Sequence, residues 1–175
     1  MKPLLRVFPV LIVALGFTAC TSYDSTSSPS TTSTATFVAT LLTGNEVPPI
    51  ANNEAGGSAT ATITFNLTKD STGSVTAATW DLSVTGTGFP AGTSLTKAHI
   101  HSGDAGTNGG IFVNVGLADG EVKFASGSGS FSKTGLTLTV DQANAISANP
   151  AAFYFNIHTA LNPDGVARGQ LTRVQ

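Results

Sequence analysis

With 175 residues and only 10% charged side chains, the chain has room for one domain and too few Lys and Glu for solvent-facing amphipathic helices. A formal net charge of −2 at pH 7, with no basic cluster interleaved with aromatics, excludes attraction to phosphate backbones, so no nucleic-acid partner is expected. A single cysteine excludes an intrachain disulfide.

Taken in order, the first segment, 1–19, reads as a signal peptide. Lys2 and Arg6 precede an apolar run, 7–15, that is shorter than the roughly 20 residues a membrane span needs. It ends Gly16-Phe17-Thr18-Ala19-Cys20, which resembles a bacterial lipobox with Phe17 where Leu is usual. Cys20 is therefore the candidate lipidation site. The expected location is the cell envelope, lipid-anchored on the outer membrane or cell surface, because Thr21 rather than Asp follows the cysteine. Residues 20–36, rich in Ser and Thr with one charge at Asp24, are expected to form a flexible tether. The folded domain is expected over 37–175.

Within it, short alternating runs of Thr, Val, Ile and Phe favour strands. A strand over 37–43 leads into Gly44-Asn45-Glu46-Val47-Pro48-Pro49, where two prolines fix a corner. Glu46, one of few acids, is a candidate anchor for backbone amides, a partner for an arginine, or a ligand. Over 57–68, Ala59, Ala61, Ile63, Phe65 and Leu67 fall on one face and Thr60, Thr62, Thr64 and Asn66 on the other, the pattern of a half-buried antiparallel strand. A turn at 69–74 returns the chain along 75–85, with Ala78, Trp80, Leu82 and Val84 facing a core. Strands follow over 95–101 and 111–115, then a hairpin from 122–125 and 129–133, and an alternating run at 136–140. Thr139 with Gln142 forms a capping-box pattern, so one short helix is expected near 141–148, ended by Asn149-Pro150. A final hairpin joins 152–159 to 166–173. About nine strands and one helix predict an all-β antiparallel fold, a Greek-key or immunoglobulin-like sandwich or barrel.

All three histidines of the chain fall in two strands of similar build. Residues two apart on a strand share a face, so His99 and His101 point the same way. On the second strand Tyr154, Asn156 and His158 share the face opposite Phe153, Phe155 and Ile157. On the last strand Arg168 and Gln170 share a face. If the two histidine strands meet, their polar faces collect His99, His101, Asn156, His158 and Arg168, with Glu46 as a further neighbour. Three neutral imidazoles suit copper(II) or zinc. Sulfur ligands are absent, since the cysteine lies in the lipobox and the methionine is Met1. The competing reading makes these histidines donors to Asn156, Glu46 or loop carbonyls, holding strand ends together. The Gly103–Gly110 segment contains Asp104 and Asn108 but matches neither the helix-linked calcium loop nor a phosphate loop, and its glycines read as turn residues. No serine sits in a nucleophile elbow and no close acid pair suggests glycoside hydrolysis.

Leu42-Thr43-Gly44-Asn45-Glu46-Val47-Pro48-Pro49, Ala98-His99-Ile100-His101 with its glycine-rich loop, and Tyr154-x-Asn156-Ile157-His158-Thr159 with Asn162-Pro163-x-Gly165-x-x-Arg168-Gly169-Gln170-Leu171 together resemble the CHRD domain. That family is named for chordin, an extracellular antagonist of bone morphogenetic proteins, and also occurs in microbial secreted proteins. The resemblance spans 37–174 and implies an extracytoplasmic β domain. The growth-factor role belongs to multidomain animal proteins and does not transfer to a single-domain lipoprotein. The His-x-His strand also resembles that of copper–zinc superoxide dismutases, which are Greek-key barrels, but this chain lacks their further histidines, zinc loop and disulfide. Two functional readings follow. One is a non-catalytic binding or structural module on the membrane, with an unknown protein or small-ligand partner. The alternative is a metal-binding periplasmic protein holding one copper or zinc ion on His99, His101 and His158, with Glu46, Asn156 and Arg168 as supporting or anion-binding residues.

Overall fold

Alternation of apolar and polar side chains builds the sheet, and its clearest instance is the long antiparallel ribbon at the start of the domain. The computed structural model describes residues 30–175. The expected signal peptide, Cys20 and most of the tether lie outside the described residues. Strand β1 (Thr31–Leu42) pairs with β2 (Ser58–Lys69) along its whole length, from Thr31 opposite Lys69 to Leu42 opposite Ser58. β2 pairs in turn with β3 (Val75–Thr87). Ala59, Ala61, Ile63, Phe65 and Leu67 are buried, as their spacing requires, and so are Trp80, Leu82 and Val84 opposite them.

The start of β1 corrects the expected tether. Residues 31–36 do not hang free but pair with 64–69. The run is poor in apolar residues, yet threonine is β-branched and fits a pleated surface, and β2 offers it an unfilled row of backbone donors and acceptors. Ala35 and Phe37 both turn into the core.

Next come β4 (Thr93–Ser102), β5 (Ile111–Asn114), β6 (Val122–Phe124) and β7 (Gly129–Leu138). β6 and β7 are not the expected hairpin. β6 bonds to β4, whereas β7 pairs with β3 and takes in 136–138 of the run read as separate at 136–140, whose last two residues cap and begin the helix. The chain turns sharply at Gly127, whose N–H donates to the carbonyl of Phe124, and passes from one edge of the sheet to the other across the seam. Helix α1 (Val140–Ala148) follows, with both bonds of the Thr139–Gln142 capping box present, and it buries Ala143 and Ile146. β8 (Phe153–Thr159), β9 (Ala167–Gln170) and β10 (Thr172–Arg173) complete the chain.

The hydrogen-bonded order is β5-β4-β8-β9-β1-β2-β3-β7, with β10 on β1 and β6 on β4. Every pairing is antiparallel. β6 and β7 approach one another, so the sheet curls into a nearly closed barrel. Phe37, Phe65, Trp80, Phe124 and Phe155 fill its interior. For the site, the decisive pairing is β4–β8–β9. It sets His99 opposite Asn156, and Asn156 opposite Arg168.

Candidate functional site

β8 is buried at all seven positions, not at alternate ones. Phe153, Phe155 and Ile157 face the barrel interior, as their period predicts. Tyr154, Asn156 and His158 face outward but are roofed by the loop 43–57 and by the loop after β4. A polar layer is thereby sealed between a sheet and two loops, and each of its groups needs a partner.

The three histidines meet in this layer. One ring nitrogen of each lies within 4.8 Å of those of the other two. His99 and His158 are diagonal neighbours across the β4–β8 ladder, and His99 Nδ1 stands 3.1 Å from His158 Nε2. The tautomers follow from the surrounding bonds. His158 Nδ1–H donates to the carbonyl of Pro163 at 2.9 Å, so its Nε2 carries a lone pair and accepts from His99 Nδ1–H. His101 Nδ1–H donates to the carbonyl of Gly109 at 3.0 Å, so its Nε2 is also a lone pair; it is buried and has no partner. The competing reading therefore holds in part: two histidines do bond loop carbonyls, but neither bonds Asn156 or Glu46.

All three imidazoles are kept neutral. Burial, together with the neighbouring histidines and Lys97, pushes His99 down to about 4. Burial likewise lowers His101 and His158, and in each case the bonded carbonyl opposes it only in part. A neutral imidazole with one nitrogen fixed to a carbonyl and the other facing its neighbours is oriented as metal-binding histidines are. Three nitrogens bound tetrahedrally at 2.0–2.1 Å stand about 3.3 Å apart, so the widest separation would close by roughly 1.5 Å through small side-chain rotations. His99 would also have to carry its proton on Nε2.

The carbonyls that orient these rings are themselves held. Buried Glu54 accepts from Thr159 Oγ1 at 2.7 Å and from Asn162 Nδ2 at 2.5 Å, which pins the turn carrying Pro163. Gly109 N–H donates to Tyr154 Oη at 3.2 Å. Gly109 also passes so near β4 that a Cβ there would lie 1.4 Å from the carbonyl oxygen of Ser102, so only glycine fits. His101 stacks on its cross-strand partner Tyr154, with centroids 4.9 Å apart and planes 6° from parallel. The guanidinium of Arg168 lies 4.6 Å from the same ring's centroid.

Arg168 ties both loops to the sheet. Its Nε donates to Asn45 O at 2.7 Å, and its Nη1 to Thr107 O and Asn108 Oδ1, each at 2.9 Å. Asn108 Nδ2 then donates to Val47 O at 2.8 Å, joining one loop to the other. Asn108 is therefore a latch between the two loops. Glu46 is buried, but among the described residues it anchors no backbone amide and forms no ion pair, and its Oε1 has no partner. Burial raises its carboxyl to about 7, and the charge of Arg168 lowers it only partly. Asn156 Oδ1 is unpartnered too.

The structure thus brings together His99, His101, His158, Asn156, Arg168 and Glu46. Tyr154, Glu54, Asn108, Gly109 and Pro163 were not among the expected site residues. The alternation of β8 does put Tyr154 on the histidine face, but the loop carbonyls carry no side-chain signal by which to find them.

The fold is thus an all-β domain, an antiparallel barrel with a roofed polar layer and a buried three-histidine cluster. Within that class the chain belongs to the CHRD domain family, whose model matches residues 37–171. No curated protein and no solved structure matches it.

Proposed function

We propose that this CHRD domain is a non-catalytic, extracytoplasmic binding module, held at the cell envelope by a lipid on Cys20, and that its ligand is one copper or zinc ion bound by His99, His101 and His158. The observation that carries the reading is the fixed orientation of two of the rings. His101 and His158 each give Nδ1–H to a loop carbonyl, and their Nε2 lone pairs are left in a dry layer beside His99. A merely structural role would not require a buried lone pair without a donor, which costs on the order of 1–3 kcal/mol. The bound ion would supply a fixed positive charge to which further ligands could attach.

The test is metal content. The full chain, purified without a histidine tag and offered copper and zinc, is expected to hold close to one equivalent of one of them. His99→Ala with His101→Ala is expected to lose it while keeping the same far-ultraviolet spectrum. Wild-type protein holding less than about a tenth of an equivalent would leave only the metal-free binding module. Labelling with a radioactive fatty acid, compared with a Cys20→Ser chain, checks the anchor.

A further inference from the structure

Two of the three histidine rings are aimed by loop carbonyls, and the two carbonyls are held by different means. That of Gly109 is held locally. Gly109 N–H donates to Tyr154 Oη at 3.2 Å, Ser102 N–H donates to the next carbonyl, Gly110 O, at 3.1 Å, and the ring in question, His101, is stacked on Tyr154. The carbonyl of Pro163 lies instead in the turn between β8 and β9. A bond of 2.8 Å from Val166 N–H to Ile157 O closes the base of that turn. Inside it, Thr159 N–H and Gly165 N–H share one acceptor, Asn162 O, at 3.3 and 3.2 Å, both long for such bonds.

The shorter bonds of the turn run from its side chains back to the loop 43–57. Glu54 Oε2 accepts from Thr159 Oγ1 at 2.7 Å and from Asn162 Nδ2 at 2.5 Å, and Asn52 Nδ2 donates to Asn162 Oδ1 at 2.8 Å. Thr159 Oγ1 in turn accepts from Asn162 N–H at 3.1 Å. Asn52 and Glu54 are set for this by each other, since Glu54 N–H donates to Asn52 Oδ1 at 3.0 Å. Glu54 is 5% exposed and forms no ion pair among the described residues. An acid is a costly residue to bury without a cation, and an apolar side chain would serve packing alone, so its place is explained by what its oxygen holds.

We propose that Glu54 is the positioning residue of His158. By holding Thr159 and Asn162 it fixes the carbonyl of Pro163, which accepts the Nδ1 proton of His158 at 2.9 Å and leaves Nε2 as the lone pair turned toward the other two histidines. Glu54 bonds to none of the three rings and acts on the site through the turn. When the turn slackens, Nδ1 and Nε2 compete for the proton, and a ring with its proton on Nε2 presents no lone pair to an ion between the histidines. The effect on metal affinity rests on the metal reading above. The choice of tautomer does not, because it is a property of the metal-free chain. His101, whose carbonyl is held by Tyr154 and not by Glu54, is the internal control.

The experiment compares the wild-type full chain with Glu54→Gln, Thr159→Val and Thr159→Ser. In the metal-free chains, proton–nitrogen correlation spectra of the imidazoles report the tautomer of each ring. Wild type is expected to show His101 and His158 both protonated on Nδ1. Glu54→Gln puts an amide donor where an acceptor stood, and Thr159→Val removes the hydroxyl at nearly the same shape. Each is expected to move a large share of His158 to the Nε2-protonated form and to leave His101 unchanged; Thr159→Val serves if Glu54→Gln does not fold. Thr159→Ser keeps the hydroxyl and is expected to restore the wild-type spectrum. Titration with zinc and with copper is expected to show at least about a tenfold loss of affinity in Glu54→Gln and Thr159→Val and none in Thr159→Ser. An unchanged His158 tautomer in the folded variants overturns the proposal, as does an equal change at His101. If wild type takes up no metal while His158 alone changes tautomer, the metal reading fails and the positioning of the ring stands. If metal binds equally well to all four chains and the tautomers do not move, only this proposal fails.

Discussion

The ribbon β1–β2–β3–β7 and the group β4–β8–β9 use strands in opposite ways. In the ribbon, one face is core and the other meets solvent: β2 alternates buried with half-buried or exposed positions along its length. In the other group, β8 has no exposed position at all. Its inner face is as apolar as that of β2, but its outer face carries Tyr154, Asn156 and His158 under two loops. The ribbon needs only a period of two to be stable. The β8 group needs every polar atom matched, and four are not. The difference separates two roles: stability comes from the ribbon's hydrophobic face, and the proposed binding belongs to the polar layer that burial leaves incompletely satisfied.

Substitutions can break this division from each side. The largest loss is expected in the ribbon. Phe65 is fully buried and packs 4.9 Å from the ring of Phe37. Phe65→Ala is expected to cost about 3–5 kcal/mol in chemical denaturation, with the proposed metal uptake unaltered at low temperature where the chain stays folded. In the polar layer, Arg168→Met removes three hydrogen bonds that tie the loops to β9. It also removes an unmatched buried charge, so the net loss is expected to be smaller, about 1–3 kcal/mol. Hydrogen exchange should quicken in 43–49 and 103–110 while the ribbon stays protected. Equal quickening in β2 and β3 would show that the two regions are not separable.

The smallest effect is one of pH. The carboxyl of Glu46 has a folded value near 7, raised by burial from an unfolded value of 4.5. The folded state therefore keeps the proton more tightly. Its contribution is present below about pH 4.5 and is lost as pH rises to about 7. The histidines run the other way, because burial lowers them: their contribution is present above about 6.5 and is lost as pH falls, in the case of His99 toward about 4. Comparing Glu46→Gln with wild type cancels the histidines. The variant is expected to match wild type near pH 4 and to be more stable by about 1–2 kcal/mol at pH 8, after allowance for solvent screening. A difference that shrinks with rising pH would contradict the raised carboxyl.

How much of this is legible in the sequence depends on the region. The ribbon is, because the alternation from Ala59 to Leu67 and from Trp80 to Val84 is a local consequence of one wet face and one dry face. The helix is legible too, since Thr139 and Gln142 satisfy each other three residues apart. Residues 31–36 escape the same logic: their side chains hardly distinguish a tether from an outer strand, and only the partner strand settles it. β6 escapes because a three-residue strand carries too little pattern to show whether it pairs with β7 or with β4. In the site, side-chain period places His99, His101, Asn156, His158 and Arg168 on common faces. It cannot show that Pro163 and Gly109 present carbonyls to two of the rings, because a backbone acceptor looks the same at every position. Nor can it show that Glu46 lacks a partner, since that is a fact about what the loops do not bring near.

The pairing of β1 bears on the order in which the molecule can form. Leu42 faces Arg168, and Thr36 exchanges backbone hydrogen bonds with Val174 and Gln175. The first strand of the barrel thus finds its second neighbour only after β9 and β10 have left the ribosome. Closing that span as a single loop would cost roughly 4 kcal/mol of chain entropy. Until then the edge of β1 stays open, and the polar layer has no β9 to complete it. On the proposed extracytoplasmic reading, the late pairing of β1 with β9 and β10 would hold back closure of the barrel until those strands have been made.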